Sequence, residues 1–219
     1  MKLPLSERLR VCAGFVNPGD RVADIGCDHG YLGIHLLTEG IASSMIEADV
    51  NEAPLQSALH NAHKYGVADR MSFYLSDGAQ RIPRDFDTLV CAGMGGDTMI
   101  HILDRAPWLK DPRYRLILQC QSKTPMLRHF LSEEGWAIRQ EAVLRDGKFL
   151  YTVMVVEFDP EAPRLTPGQC YFPPALLLDP NEVLQEYYQR ITEGLRLAVT
   201  HQKDPEKKAL LEELEQLKV

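Results

Sequence analysis

Residues 86–92 form a nearly continuous apolar run, and a strand that is apolar on both faces has to be covered on both faces. Helices flanking a parallel sheet provide that cover. The rest of the chain supplies them, because strand-like and helix-like signals alternate along it. A helix is expected over 5–15, with Ser6 as N-cap and a Pro18-Gly19 turn behind it. Strands are expected at 21–25, 44–50, 71–75, 86–92 and 115–119. The helices between them cover 31–38, 52–65, 97–105 and 125–134, and Gly40, Gly66 and Gly135 close three of them. The pattern then changes. Segments 136–145 and 148–158 are both strand-like and flank Asp146-Gly147, a hairpin signal. The expected fold is α/β: a Rossmann-like parallel sheet with an antiparallel C-terminal hairpin.

The chain of 219 residues is long enough for one α/β domain and a smaller appendage. Residues 1–159 are assigned to the α/β domain. Pro160, Pro163, Pro167, Pro173 and Pro174 mark 160–181 as a linker. In 182–219, Leu184, Tyr187, Tyr188, Ile191, Leu195 and Ala198 make one apolar stripe. Lys203-Asp204-Pro205 interrupts it, and Leu210, Leu211, Leu214 and Leu217 resume it from 206 to 218, so a coiled-coil-like helical hairpin is expected. No apolar run reaches the ~18 residues that span a bilayer, and the N-terminal Met1-Lys2-Leu3-Pro4 opens no signal-peptide core. A cytoplasmic protein without membrane contact is expected. The five cysteines (Cys12, Cys27, Cys91, Cys120 and Cys170) form no CxxC pair and read as reduced, buried thiols. No metal is expected. His60 and His63 lie one turn apart and read as a solvated helix face. The net charge of −7 excludes non-specific coating of nucleic acid but leaves room for a local basic face.

Four clusters fall at the C-terminal ends of consecutive strands, where open α/β sheets bind ligands. The first is Asp24-Ile-Gly26-Cys-Asp28-His-Gly30, between a strand and a helix. Its glycines allow a tight turn and close approach of a ligand, and its spacing is not the GxGxxG dinucleotide fingerprint. The second is Asp49, which could accept the two hydroxyls of a ribose, followed by Val50, Asn51 and Glu52. The third is Asp77-Gly78, which alone also reads as an ordinary turn. The fourth is Ala92-Gly93-Met94-Gly95-Gly96-Asp97. Its glycine density suits close approach of a flat substrate, or else a loop crowded by packing.

The acidic-x-Gly-x-x-x-Gly spacing resembles the S-adenosylmethionine (SAM) motif of class I methyltransferases, in which Asp28 stands at a position often occupied by glycine. A longer set of segments is similar to the bacterial tRNA (adenine-22-N1)-methyltransferases. It comprises Leu5-Ser6-x-Arg8-Leu9, Val22-Ala-Asp-Ile-Gly-Cys-Asp-His-Gly-Tyr-Leu32, Asp49-Val-Asn51-Glu52-x-Pro54, Ala92-Gly-Met-Gly-Gly96, Leu116-Ile-Leu-Gln119 and Asp146-Gly-Lys148. The similarity covers about residues 1–159 and the helical tail in outline. Cys120 stands where many members have proline, which bears on the substrate side of the pocket.

The resemblance implies transfer of a methyl group from SAM to N1 of adenine 22 in tRNA by a class I methyltransferase fold. It places the cofactor on Asp24, Gly26, Gly30, Asp49, Val50, Asn51, Asp77, Gly78, Ala92, Gly93 and Met94. The reacting adenine then falls near Asp28, His29 and Tyr31: Tyr31 as a stacking surface, Asp28 as a polar contact or as the cap of the following helix, and His29 as a base or a structural histidine. Arg8, Gly95, Gly96, Gln119 and Lys123 are the expected substrate contacts, with Arg10, Arg128 and His129 as further cations. Asp97 contacts the target amine or caps its own helix. A monomer or weak homodimer is expected. The alternatives are a SAM enzyme acting on another RNA site or a small molecule, and a catalytically silent SAM- and RNA-binding protein; an NAD oxidoreductase fits the glycine spacing least.

Overall fold

The computed structural model describes residues 3–178, 180–202 and 205–217. Its seven strands form one sheet: β1 (Arg21–Ile25), β2 (Ser44–Asp49), β3 (Met71–Leu75), β4 (Thr88–Gly95), β5 (Arg115–Ser122), β6 (Trp136–Asp146) and β7 (Phe149–Phe158). The order is β3-β2-β1-β4-β5-β7-β6. The first five pair in parallel, and β7 runs antiparallel to both β5 and β6. The strand order reverses between β1 and β4, which opens a crevice at their C-terminal ends. The expected sheet class and its antiparallel hairpin are both present.

Alternation along the strands sends side chains to two helical layers. Val22, Met45, Val90, Ile117 and Val153 pack under α1 (Glu7–Gly14) and α2 (Tyr31–Thr38), whose Cys12, Leu32 and Leu36 are fully buried. Ala23, Ile25, Leu89, Cys91, Leu116 and Leu118 face α4 (Gly96–Asp104) and α5 (Thr124–Glu133) through Met99, Ile102, Leu127 and Leu131. Helix α3 (Glu52–Tyr65) closes at Gly66 in the left-handed conformation.

Two boundaries differ from the sequence expectation. Strand β4 does not end at Ala92: it continues to Gly95 and bonds with β5 through register shifts after Ala92 and Met94, and β5 extends to Ser122 to meet it. Gly93, at φ +80°, lets the strand bulge without breaking away. The hairpin turn is also shifted by one residue. Asp146 pairs with Phe149, so Gly147 and Lys148 form the turn, with glycine first and at φ +61°, the position a type II′ turn assigns to it.

The proline-rich stretch 160–181, expected as a linker, carries α6 (Pro167–Tyr171) with a Thr166–Gln169 capping box and a 3-10 turn at Pro174–Leu178. It buries Phe172 and Leu176 against α7 (Glu182–Gln202) and α8 (Pro205–Glu215). These two helices pack through Leu184, Leu195, Leu210 and Leu214, and the Tyr188 hydroxyl donates to the Leu214 carbonyl at 2.9 Å. The break expected at Lys203-Asp204 and the helix end at Lys218 lie outside the described residues, as do Met1 and Lys2.

Arg128 ties this C-terminal layer to the sheet. Expected as a phosphate contact, it is instead fully buried. From α5 it donates to the Glu141 carboxylate on β6 at 2.6 Å and to the carbonyls of Cys170 and Tyr171 at 3.0 and 2.8 Å. Removing one partner of such a pair strands the other charge out of water, at a cost of about 3–5 kcal/mol. Arg128→Ala should therefore lose about that much stability in denaturant unfolding. Replacing both partners by apolar residues, in Arg128→Met/Glu141→Leu, should recover most of it.

Candidate active site

The loop after β1 is shaped by its backbone. The N–H groups of Gly26 and Cys27 both donate to the Ala48 carbonyl, at 2.7 and 3.1 Å, which folds the loop across the end of β2. Gly26 has φ +77°, and a Cβ there would overlap Met94 Cε. Asp28 is also left-handed, at φ +51°, which explains why glycine serves at this position; aspartate is among the few other residues that tolerate it. Helix α2 is capped by Gly30 with no side-chain hydrogen bond, so Asp28 does not cap it. Asp28 points outward, with its side chain 74% exposed and 3.6 Å from His29 Nε2.

Two cavities open beside this loop, and Gly26, Ala92 and Gly93 line both. The larger, about 330 Å³, is bounded by Asp49, Val50, Asn51, Asp77, Gly78 and Met94. The smaller, about 280 Å³, is bounded by Asp24, Asp28, His29, Tyr31 and Arg8. The His29 and Tyr31 rings lie 5.6 Å apart on its rim. Asp49 holds its carboxylate by accepting from Asn51 N–H at 2.9 Å, and Asp77 is paired with Arg105 at 3.1 Å.

Carboxyl groups withheld from water dominate the floor. Asp24 is 4% exposed, and burial, followed by the nearby charge of Asp49, pushes it up to about 7. Its parallel neighbour Glu47 is fully buried, and no N–H or hydroxyl donor reaches either carboxyl oxygen, leaving the Cys27 thiol as a weak partner. Burial first, and then the charge of Asp24, raises Glu47 well above the ordinary glutamate range. Helix α2 makes room for it with Gly33, where any side chain would run into the Glu47 carboxyl group. Glu47 lies behind the cavities; Asp24, which lines the smaller one beside the bare backbone of Gly26 and Gly93, is a buried carboxyl group without a paired cation and suits a cationic ligand that approaches the chain closely.

Some expected site residues work from behind the cavities. Gln119 is fully buried; its side-chain oxygen accepts from Gly93 N–H at 3.0 Å and from Arg8 at 3.2 Å, so it holds the glycine wall from behind. Arg8 also pairs with Asp146 at 3.0 Å and lies 5.4 Å from the centre of the Tyr151 ring. Gly95 and Gly96 line neither cavity. A Cβ at either would meet the end of β5, 3.0 Å from Ser122 Oγ and 2.9 Å from the Lys123 carbonyl, so close packing accounts for them. Lys123 is paired with Asp97, which lies inside the first turn of α4 behind a Gly95 cap. Ser76, Thr98, His101 and Gln121 line the cavities and escaped the sequence reading. Thr98 in the first turn of α4 and His101 three residues on share the face that looks in, and that spacing was the available signal.

Among the described residues, no cluster of His, Cys, Asp and Glu is placed to hold a metal, and no helix is long and apolar enough to cross a membrane. All five cysteines are buried free thiols.

A methyltransferase-domain model matches residues 5–154. The chain belongs to the methyltransferase-domain family. Over 157 residues this methyltransferase is 32% identical to the tRNA (adenine(22)-N(1))-methyltransferase of Bacillus subtilis, a match covering 71% of this chain and 66% of that enzyme. The crystal structure of the B. subtilis m1A22 tRNA methyltransferase TrmK is similar at TM-score 0.81 and 27% identity, over 97% of this chain and 95% of that one. A Streptococcus pneumoniae protein solved in complex with S-adenosyl-L-methionine is similar at TM-score 0.85 and 29% identity, over 96% of this chain and 99% of that one.

The buried glutamate gives this methyltransferase a pH-dependent stability of defined sign. Folded Glu47 keeps its proton to higher pH than the unfolded chain, in which it ionises near 4.5. Its contribution is whole below that value and is lost as pH rises through the folded pKa. Glu47→Gln should gain stability relative to the parent protein as pH increases from about 4.5 to 8, measured by thermal unfolding across that range. A constant difference would contradict the assignment.

Proposed function

We propose that this protein transfers a methyl group from SAM to N1 of the adenine at position 22 of tRNA. The observation that carries the reading is the pair of adjoining cavities that share Gly26, Ala92 and Gly93, together with the likeness to the B. subtilis enzyme. The larger cavity suits the nucleoside of the cofactor, and the smaller one offers Asp24 to its charged methionine end and an aromatic rim to the target base, so the two ligands meet beside Gly26 and Gly93.

The residues present fit SAM. Asp49 offers a carboxylate to ribose hydroxyls, Val50 and Ile102 give apolar walls to an adenine ring, and Asp77 faces its amino group. Asp24 offers a buried carboxylate to the charged methionine end. When bound, SAM supplies an electrophilic methyl group on a sulfonium ion.

The chain's own work is placement and proton handling. Adenine N1 attacks through its in-plane lone pair, so most of the rate comes from holding the base in line. Tyr31 and His29 stack the base once it is turned out of the folded RNA. Methylation leaves a cation that is relieved by losing a proton from the exocyclic amine, and we assign its acceptance to Asp28, an exposed carboxylate among the residues lining the smaller cavity. Arg8, Gln119 and Asp146 act behind this, holding Gly93 and the cavity wall. In this reading 1–159 forms the catalytic domain, 160–181 connects it and 182–219 is a helical hairpin. The protein works in the cytoplasm as a monomer or weak homodimer.

Incubation with radiolabelled SAM and unmodified tRNA, followed by digestion to nucleosides, should put label in 1-methyladenosine. Asp24→Ala or Asp49→Ala should reduce that label about 30-fold or more, since lost contacts to a buried charge cost about 2–5 kcal/mol. SAM binding with label in no nucleoside would contradict the proposal.

A further inference from the structure

The tip of the β6–β7 hairpin has a feature that the fold does not require. Phe149 is 53% exposed, although it is a large apolar side chain at the end of a strand. The Lys148 ammonium lies 5.3 Å over its ring, and the ring stands 6.1 Å from Tyr151. Because β7 runs antiparallel to β5, its first residues stand at the end of the sheet where β5 finishes, the same end as both cavities. The tip is also tied to the smaller cavity: Asp146 beside the turn binds Arg8 at 3.0 Å, Arg8 lies against Tyr151, and Arg8 lines that cavity together with Asp28 and Tyr31.

We propose that Phe149 and Lys148 form a docking platform for one unpaired nucleotide of the tRNA, with the base stacked on the Phe149 ring and its phosphate met by Lys148. The assignment rests on the tRNA reading above. An exposed aromatic ring with a cation beside it matches the two faces of a nucleotide, a π-surface and an anionic phosphate. A protein partner fits less well, because a stable protein interface covers on the order of 800 Å² per partner and the tip offers little more than two side chains. The Arg8 tether fixes the platform relative to the methylation cavity, so a nucleotide held there sets the register of the RNA.

The test uses the full-length protein and unmodified tRNA. Phe149→Ala and Phe149→Leu should each raise the KM for tRNA about 5- to 150-fold, the range expected for one lost base stack, while the SAM Kd from calorimetry stays within about twofold. Phe149→Trp should restore near-parental KM. Lys148→Ala should flatten the dependence of log affinity on log salt by about 0.7, the share of one single-strand phosphate contact. An unchanged tRNA KM in both Phe149→Ala and Phe149→Leu would overturn the platform, as would a KM rise matched by loss of SAM binding. A parental protein that methylates no tRNA would instead overturn the underlying reading, a result visible before any variant is made.

Discussion

Three carboxyl groups on two adjacent parallel strands, kept from water and left without a cation, are the constraint around which this protein is built. The register that sets Asp24 of β1 beside Glu47 of β2 puts both on one face of the sheet, and Asp49 lies two residues further along. Burying such groups is unfavourable unless something pairs with them. Glu47 meets the problem by holding its proton and Asp24 by titrating near neutrality. The surrounding glycines follow from the same arrangement: Gly33 clears space for Glu47, and Gly26 keeps the cavity wall bare. Of the three, Asp24 lines the smaller cavity, where a cationic ligand would meet it as a counter-charge.

A second level of structure holds that wall in place. Gln119 links the Gly93 backbone to Arg8, and Arg8 links the first helix to Asp146 at the far hairpin. The N-terminal helix, the central strand bulge and the edge hairpin are therefore tied together around the smaller cavity. Arg128 does the same for the C-terminal helices, which it fastens to α5 and β6 through a fully buried ion pair. The acidic total charge is compatible with an RNA substrate because only a few cations near the cavity mouth need to meet phosphate.

The sheet and the loops that line the two cavities were readable from the sequence because their signals are local. Asp24, Gly26 and Asp49 sit at the ends of β1 and β2, which apolar runs mark, whereas the bulged end of β4 carries no such mark. The substrate side was less readable because its roles depend on contacts between distant residues. Nothing in the sequence near Gln119 shows that its side chain turns inward to Gly93, nor that Lys123 is taken up by Asp97. Gly95 and Gly96 carry the same letter as Gly93, yet only Gly93 faces the cavities, because the bulge in β4 turns its neighbours toward β5. Arg128 illustrates the general difficulty: charge alone suggested a surface cation, and only the packing of α6 over α5 reveals it as a buried anchor.

The acidic floor is tested most directly by calorimetric titration of SAM into the protein at pH 6.5 in buffers of different ionisation enthalpy. At that pH the ligand's amino group is already protonated, and Asp24, with its pKa near 7, still carries most of its proton. Cation binding should lower the Asp24 pKa and release a fraction of a proton per SAM, up to roughly 0.7, a release that Asp24→Asn should abolish. Binding heats that are identical in every buffer, or proton uptake, would contradict the account.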